Sequence, residues 1–279
     1  MSHGHDKPVP AKKTAHPEDN MADVNSIPGA EPIKTEEECV PNNVVRDAAG
    51  NPVRLANGIF QTFGEEKLDS GPQVAKGQSL PRGLQVQKSI LTSTTTPEPP
   101  AGINRLSRLQ VKAVMLMLSQ AESAQSYSLI TASNYIGKYQ LSALTLSELG
   151  YIKVEYVILY GSAAVKRDSA WIGKDGVRNL ETWFLSPGVQ ESVMYELLQR
   201  NYTIMLNNGS IKDGDNLCTI AGMLCVAHIL GPGSGTELEP GAKRWRNTGG
   251  GKDINGNNAA TYFLLGRYAV DVLAAPTVQ

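Results

Sequence analysis

The sequence is short of cysteine, short of aromatic residues over its first third, and without long apolar runs. Three cysteines in 279 residues cannot build a disulfide framework. Cys218 and Cys225 lie seven positions apart in a stretch of helical pattern, about 10 Å along its axis and beyond disulfide reach. Both read as small buried residues, and Cys39, after three glutamates, reads as a free thiol. The longest nearly apolar run, Leu217–Leu230, is too short and too interrupted to span a bilayer, so no membrane insertion is expected. The opening MSHGHDKPVPAKK has no apolar core of a secretory signal, so export by the ordinary secretory route is not expected. His3, His5 and His16 have no neighbouring ligands in sequence, and no metal or other cofactor is expected.

Strong charge of either sign is also missing. Residues 1–100 carry ten Lys and Arg against thirteen Asp and Glu, which leaves sixteen against fourteen of the totals of 26 and 27 for the rest. That balance lacks the basic footprint of a nucleic-acid binder, though it suits a domain that meets an acidic polymer.

What is present divides the chain in two. Twelve of sixteen prolines fall within residues 1–100, but only two of seventeen aromatics do, Phe60 and Phe63. Such a segment cannot bury enough apolar surface to offset its chain entropy. Residues 1–100 are therefore expected to form an extended, proline-rich arm, either a tether or a strap that orders against a partner. Within it, Val44–Ala56 has the pattern of a short hairpin. Residues 101–279 are expected to form a mainly α domain of six or more helices. Leu106, Leu109, Ala113, Val114, Met117 and Leu118 recur at helical spacing. A second helix is expected over Tyr139–Leu149, with Leu141, Leu144 and Leu149 inward and Gly150 as a left-handed cap. Tyr151–Tyr160 is β-branched and aromatic and reads as a strand or hairpin arm. Ser186-Pro187 opens a helix that stops near Gly209. Leu217–Leu230 reads as a central buried helix ended by Gly231-Pro232, and a last helix spans about Asn258–Leu273.

Chemistry concentrates between Met115 and Gln140. One carboxylate, Glu122, is expected where a helix ends, and Ser123–Ser147 contains no Asp or Glu. A lone carboxyl sheltered by neighbouring elements is raised in pKa and works as a general acid near neutral pH; in the open it is an ordinary solvated glutamate.

Ala121-Glu122-Ser123, followed by Tyr135-Ile136-Gly137-Lys138-Tyr139-Gln140, resembles the lysozyme-like lytic transglycosylase superfamily, in which a Glu-Ser pair ends one helix and Gly-x-x-Gln begins the next. About ninety residues on, Ala227-His228-Ile229-Leu230-Gly231-Pro232-Gly233 is similar to that superfamily's Ala-Tyr-Asn-Ala-Gly-Pro-Gly signature, with His228 in the place of Tyr and Ile229 in the place of Asn. Trp171–Gly176, Phe184–Pro187 and Gln190-Glu191 resemble the variant found in cell-wall hydrolases of phage tails. The likeness covers roughly residues 102–275.

The resemblance implies a lysozyme-like helical domain that cleaves the β-1,4 bond between MurNAc and GlcNAc of peptidoglycan strands. Glu122 would be the acid, and with no second carboxylate near it the product would be a 1,6-anhydro sugar; Asp175, Glu181 or Asp253 folding into the cleft would instead suit a hydrolase. Gln140 and Tyr139 would line the cleft and Ser123 would cap or orient Glu122. Gln140 has the alternative of a solvent-facing helix start, and His228 that of a satisfied core histidine rather than a substrate ligand. A late cleft tyrosine would come from Tyr262 or Tyr268. The expected setting is a phage tail or baseplate, with residues 1–100 binding other virion proteins. An inactive structural tail protein of the same fold and a free endolysin are the alternatives.

Overall fold

Ser107 opens the first helix. Its hydroxyl accepts the N–H of Gln110, and the Gln110 side chain accepts the N–H of Ser107, a reciprocal cap that starts α1 at Arg108 and carries it to Ser123. The computed structural model describes residues 91, 98–233, 241–248, 251–252 and 256–273, with residues 272 and 273 described by backbone alone, and all belong to one compact unit. The expected hairpin at 44–56, the arm as far as residue 97 (apart from Leu91), Cys39, His3, His5, His16 and Asp253 lie outside the described residues.

The described residues are mainly α-helical. After α1 come α2 (Ala143–Glu148), α3 (Val154–Tyr160), α4 (Leu180–Phe184), α5 (Pro187–Asn207), α6 (Leu217–Leu230), α7 (Ala242–Thr248) and α8 (Ala259–Tyr268), the last running into a π-helical turn, Ala269–Leu273. Isolated β-bridges take the place of strands. No helix among the described residues is long and apolar enough to cross a membrane.

The core is built around α6. Asn216 caps it by accepting the Thr219 N–H, and every residue from Leu217 to Ala227 is buried, Cys218 and Cys225 included. A helix apolar on all faces must be covered on all faces. The closest cover is α8, which approaches through two glycines. A β-carbon on Gly266 would stand 2.2 Å from the Ala221 carbonyl oxygen, and one on Gly222 would stand 2.5 Å from the Phe263 ring. Phe263 then packs on Trp245 of α7, ring centroids 4.9 Å apart.

Several expectations hold. α6 has the expected bounds, Pro187 begins α5 just before its long run to Asn207, and Gly150 takes φ +77° beyond α2. Others are corrected. Tyr151–Tyr160 is not a strand: Ile152 bridges Trp171, the Lys153 N–H donates to the Ala170 carbonyl, and the chain then turns into α3. β-propensity is realised only against a partner strand, and among the described residues none continues beyond Trp171, so the backbone satisfies itself as helix. The second helix starts at Ala143 rather than Tyr139, because Ser142 accepts the Thr145 N–H and fixes the start there. Leu144, expected inward, is exposed, and so is Leu109 at the start of α1.

Candidate active site

Glu122 occupies the last turn of α1. The helix ends just beyond it because Ala124 and Gln125 both take left-handed backbone angles, and the Ala124 N–H returns to the Ser119 carbonyl. The chain is thereby thrown outward at the residue after the Glu-Ser pair, and the Glu122 side chain faces a cavity of about 250 Å³. Ala121, Thr131, Tyr135, Gln140, His228, Ile229, Asn257 and Tyr262 complete its lining. Elements distant in sequence thus meet on one carboxylate.

The carboxylate is sheltered but reachable, its side chain 12% exposed. The Tyr262 hydroxyl, brought in by α8, donates to Oε1 at 2.6 Å. His228, in the last turn of α6, sets its Nε2 3.4 Å from the same Oε1. No hydrogen bond or ion pair reaches Oε2 from any described residue. Cys225, one helical turn before His228, is a buried free thiol whose pKa is pushed up by its burial and further by the Glu122 carboxylate.

Gln140 takes φ +47° at the end of a turn and is buried. Its side-chain Nε2 donates to the Gly137 carbonyl at 2.7 Å, which orients the amide and leaves Oε1 buried without a partner. Gly137 itself has φ +77°, and a β-carbon there would meet Gln190 Oε1 at 2.4 Å and Trp183 Nε1 at 2.7 Å, so only glycine fits this turn.

Beneath the turn lies a buried polar network that sequence reasoning did not assign. Lys138 is fully enclosed and donates to Glu191 Oε1 of α5 at 2.6 Å. Tyr127 donates to the same oxygen at 2.6 Å and Tyr139 to Oε2 at 2.5 Å. Burial, with the Glu191 carboxylate adding to it, holds the Tyr139 phenol well above its ordinary pKa, and Tyr127 is pushed up by the same two causes. The neighbouring Gln190 accepts the Lys138 N–H at 2.8 Å and donates to the carbonyls of Tyr127 and Trp183. The Ser123 hydroxyl donates to the Lys138 carbonyl at 2.7 Å.

Of the residues singled out in the sequence, Glu122, Gln140, His228 and Tyr262 line one cavity. Two do not. Tyr139 is buried and spends its hydroxyl on Glu191, while Ser123 is buried and joins α1 to the turn. Both tie the turn that ends at Gln140 to its neighbours, Tyr139 to α5 and Ser123 to α1. Of the two late tyrosines, Tyr262 reaches the cavity and Tyr268 is not in its lining. Thr131, Tyr135, Ile229 and Asn257 were not picked out; Tyr135 and Ile229 stand inside the motifs and were within reach, whereas nothing in the sequence marks Thr131 or Asn257. Asp175 accepts the Tyr151 hydroxyl, and Glu181 lies exposed in α4; neither lines the cavity. Among the described residues no group of three or more His, Cys, Asp or Glu stands together as a metal site. The chain matches no protein-family model, no curated protein and no solved structure.

Proposed function

We propose that the chain is a peptidoglycan-cleaving enzyme with a lysozyme-like domain, a lytic transglycosylase or muramidase that acts on the β-1,4 bond between MurNAc and GlcNAc. The observation that carries this reading is a single sheltered carboxylate at a helix end, lining a polar cavity with one oxygen held by Tyr262 and the other unengaged. Glycoside cleavage needs a proton on the bridging oxygen as an oxocarbenium-like centre develops at the sugar carbon. Glu122 supplies it. Gln140, with its amide nitrogen committed to Gly137, offers a buried acceptor to a hydroxyl or acetamido N–H of the sugar.

No second Asp or Glu lines the cavity among the described residues, which supports one-acid chemistry. After the leaving group departs, the Glu122 carboxylate takes the proton of the sugar's own C6 hydroxyl as that oxygen attacks the anomeric carbon, and a 1,6-anhydro sugar results. The composition of residues 1–100 supports a strap that mounts the enzyme on other virion proteins of a phage tail or baseplate, where it opens the wall during entry. A second reading, a structural tail protein without turnover, draws on His228 and Ile229, which stand where the resembling family has Tyr and Asn.

Mass analysis of muropeptides after digestion of purified peptidoglycan by the full chain tests the proposal. Anhydro ends are the expected product; reducing ends would make the enzyme a hydrolase, and no release at all would favour the structural reading.

A further inference from the structure

We propose that His228 bridges Glu122 to the bound sugar, donating from Nε2–H to Glu122 Oε1 and accepting at Nδ1 from a sugar hydroxyl or acetamido N–H. The proposal rests on the functional reading above and deepens it. The His228 side chain is only 5% exposed, and its two ring nitrogens have unequal surroundings. Nε2 stands 3.4 Å from a carboxylate oxygen, a contact that an N–H there satisfies and a lone pair would not, so we place the ring proton on Nε2. Nδ1 is then a bare acceptor, buried and without a partner, on a residue that lines the cavity. An unmade hydrogen bond on a buried acceptor is costly, and a ligand donor in the cavity removes that cost.

The same geometry decides which oxygen of Glu122 works. Oε1 accepts the Tyr262 hydroxyl at 2.6 Å and faces His228 Nε2, so both donors fall on one oxygen. Oε2, which no described residue engages, is the oxygen that delivers the proton to the glycosidic bond and takes the next one back. Gln140 Oε1 is a second buried, unpartnered acceptor in the lining. Two bare acceptors beside a carboxylate favour a ligand rich in donors, such as an N-acetylated sugar with free hydroxyls, and disfavour an anion that brings only acceptors.

The full chain with ¹⁵N-labelled histidine tests the bridge. Its four histidines are distinguished by the signal that His228→Gln removes. Nitrogen chemical shifts are expected to show His228 protonated on Nε2 and bare on Nδ1, and a soluble GlcNAc–MurNAc oligomer should move the Nδ1 resonance. A ring protonated on Nδ1, or a sugar that leaves the Nδ1 resonance in place, overturns the proposal. Peptidoglycan turnover, measured on the same sample, reports separately on the enzymatic reading.

Two variants read the two nitrogens apart in kinetics on soluble glycan strands. Gln at 228 keeps a donor near the place of Nε2, whereas Asn keeps an amide near the place of Nδ1. His228→Gln should raise KM more than it lowers kcat, by roughly 10-fold for one lost neutral hydrogen bond. His228→Asn should do the converse, lowering kcat on the order of 10- to 100-fold for a lost contact to a charged group. Equal effects of the two variants on both constants would mark His228 as packing alone.

Discussion

Replacing Glu191 by Gln keeps the side chain's shape and removes its charge, and the consequence can be worked from the network beneath the cavity. Glu191 is 4% exposed and Lys138 1%, with 2.6 Å between their charged atoms. The variant leaves the Lys138 ammonium enclosed with no carboxylate to face, and breaking one side of such a buried pair costs about 3–5 kcal/mol. A domain of this size has roughly 5–15 kcal/mol of stability in total, so the loss is a large fraction of it. Adding Lys138→Met removes the stranded charge, and the double variant should be more stable than Glu191→Gln alone by at least about 1 kcal/mol. Urea unfolding of the full chain, read as a change in midpoint at constant slope, measures both. Turnover should fall as well, although Glu191 does not line the cavity. Its partner Lys138 seats the turn that ends at Gln140, through the Gln190 and Ser123 contacts to the Lys138 backbone. A cost below about 1 kcal/mol for Glu191→Gln, or a double variant less stable than the single, would refute the claim that a charge pair holds this turn.

Two further outcomes test the frame around the site. Gly266→Ala pushes a methyl group into the Ala221 carbonyl and should lower stability by about 1–3 kcal/mol in the same unfolding assay; an unchanged midpoint would contradict the close approach of α8 to α6. Tyr127, Tyr139 and Tyr151 all have their phenol pKa values raised, by burial first and by a carboxylate partner next. The unfolded chain therefore releases these protons near the ordinary phenol value of 10.0 while the folded chain holds them. Stability contributed by the three is present below that pH and declines as pH rises above it. A phenolate absorbance titration should show at least these three of the ten tyrosines ionising only as the fold opens. Ionisation of all ten in one step near the ordinary value, with the fold intact, would rule this out.

The parts of the fold that local chemistry decides were readable in the sequence. The apolar run of α6, the Pro187 start of α5 and the Gly150 turn are each set by residues within a helical turn of one another. The α3 segment reads as a strand because its residues are β-branched and aromatic, but such residues favour a strand only where a neighbouring strand is there to pair, and the described residues supply just the single Ile152–Trp171 bridge. The site was half legible. Glu122 and Gln140 stand in short motifs, but their partners come from far along the chain. Tyr262 lies 140 residues from Glu122, and Glu191 lies 53 from Lys138. No spacing rule links such pairs. Tyr139 looked like a cleft residue by its place beside Gln140, yet the turn's left-handed residues rotate it into the network beneath. That rotation depends on Gly137 fitting against Gln190 and Trp183, a contact visible only once α4 and α5 are in place.

Release of muropeptides from purified peptidoglycan by the wild-type chain and by Glu122→Gln, compared at equal concentration, tests the central claim most directly. The substitution keeps the volume of the side chain and an acceptor for Tyr262 while removing the proton to be delivered. The rate should fall by roughly 10²–10⁴-fold, the usual loss for an acid catalyst, with the unfolding midpoint little changed. Equal rates from the two proteins would contradict the assignment of Glu122 as the acid.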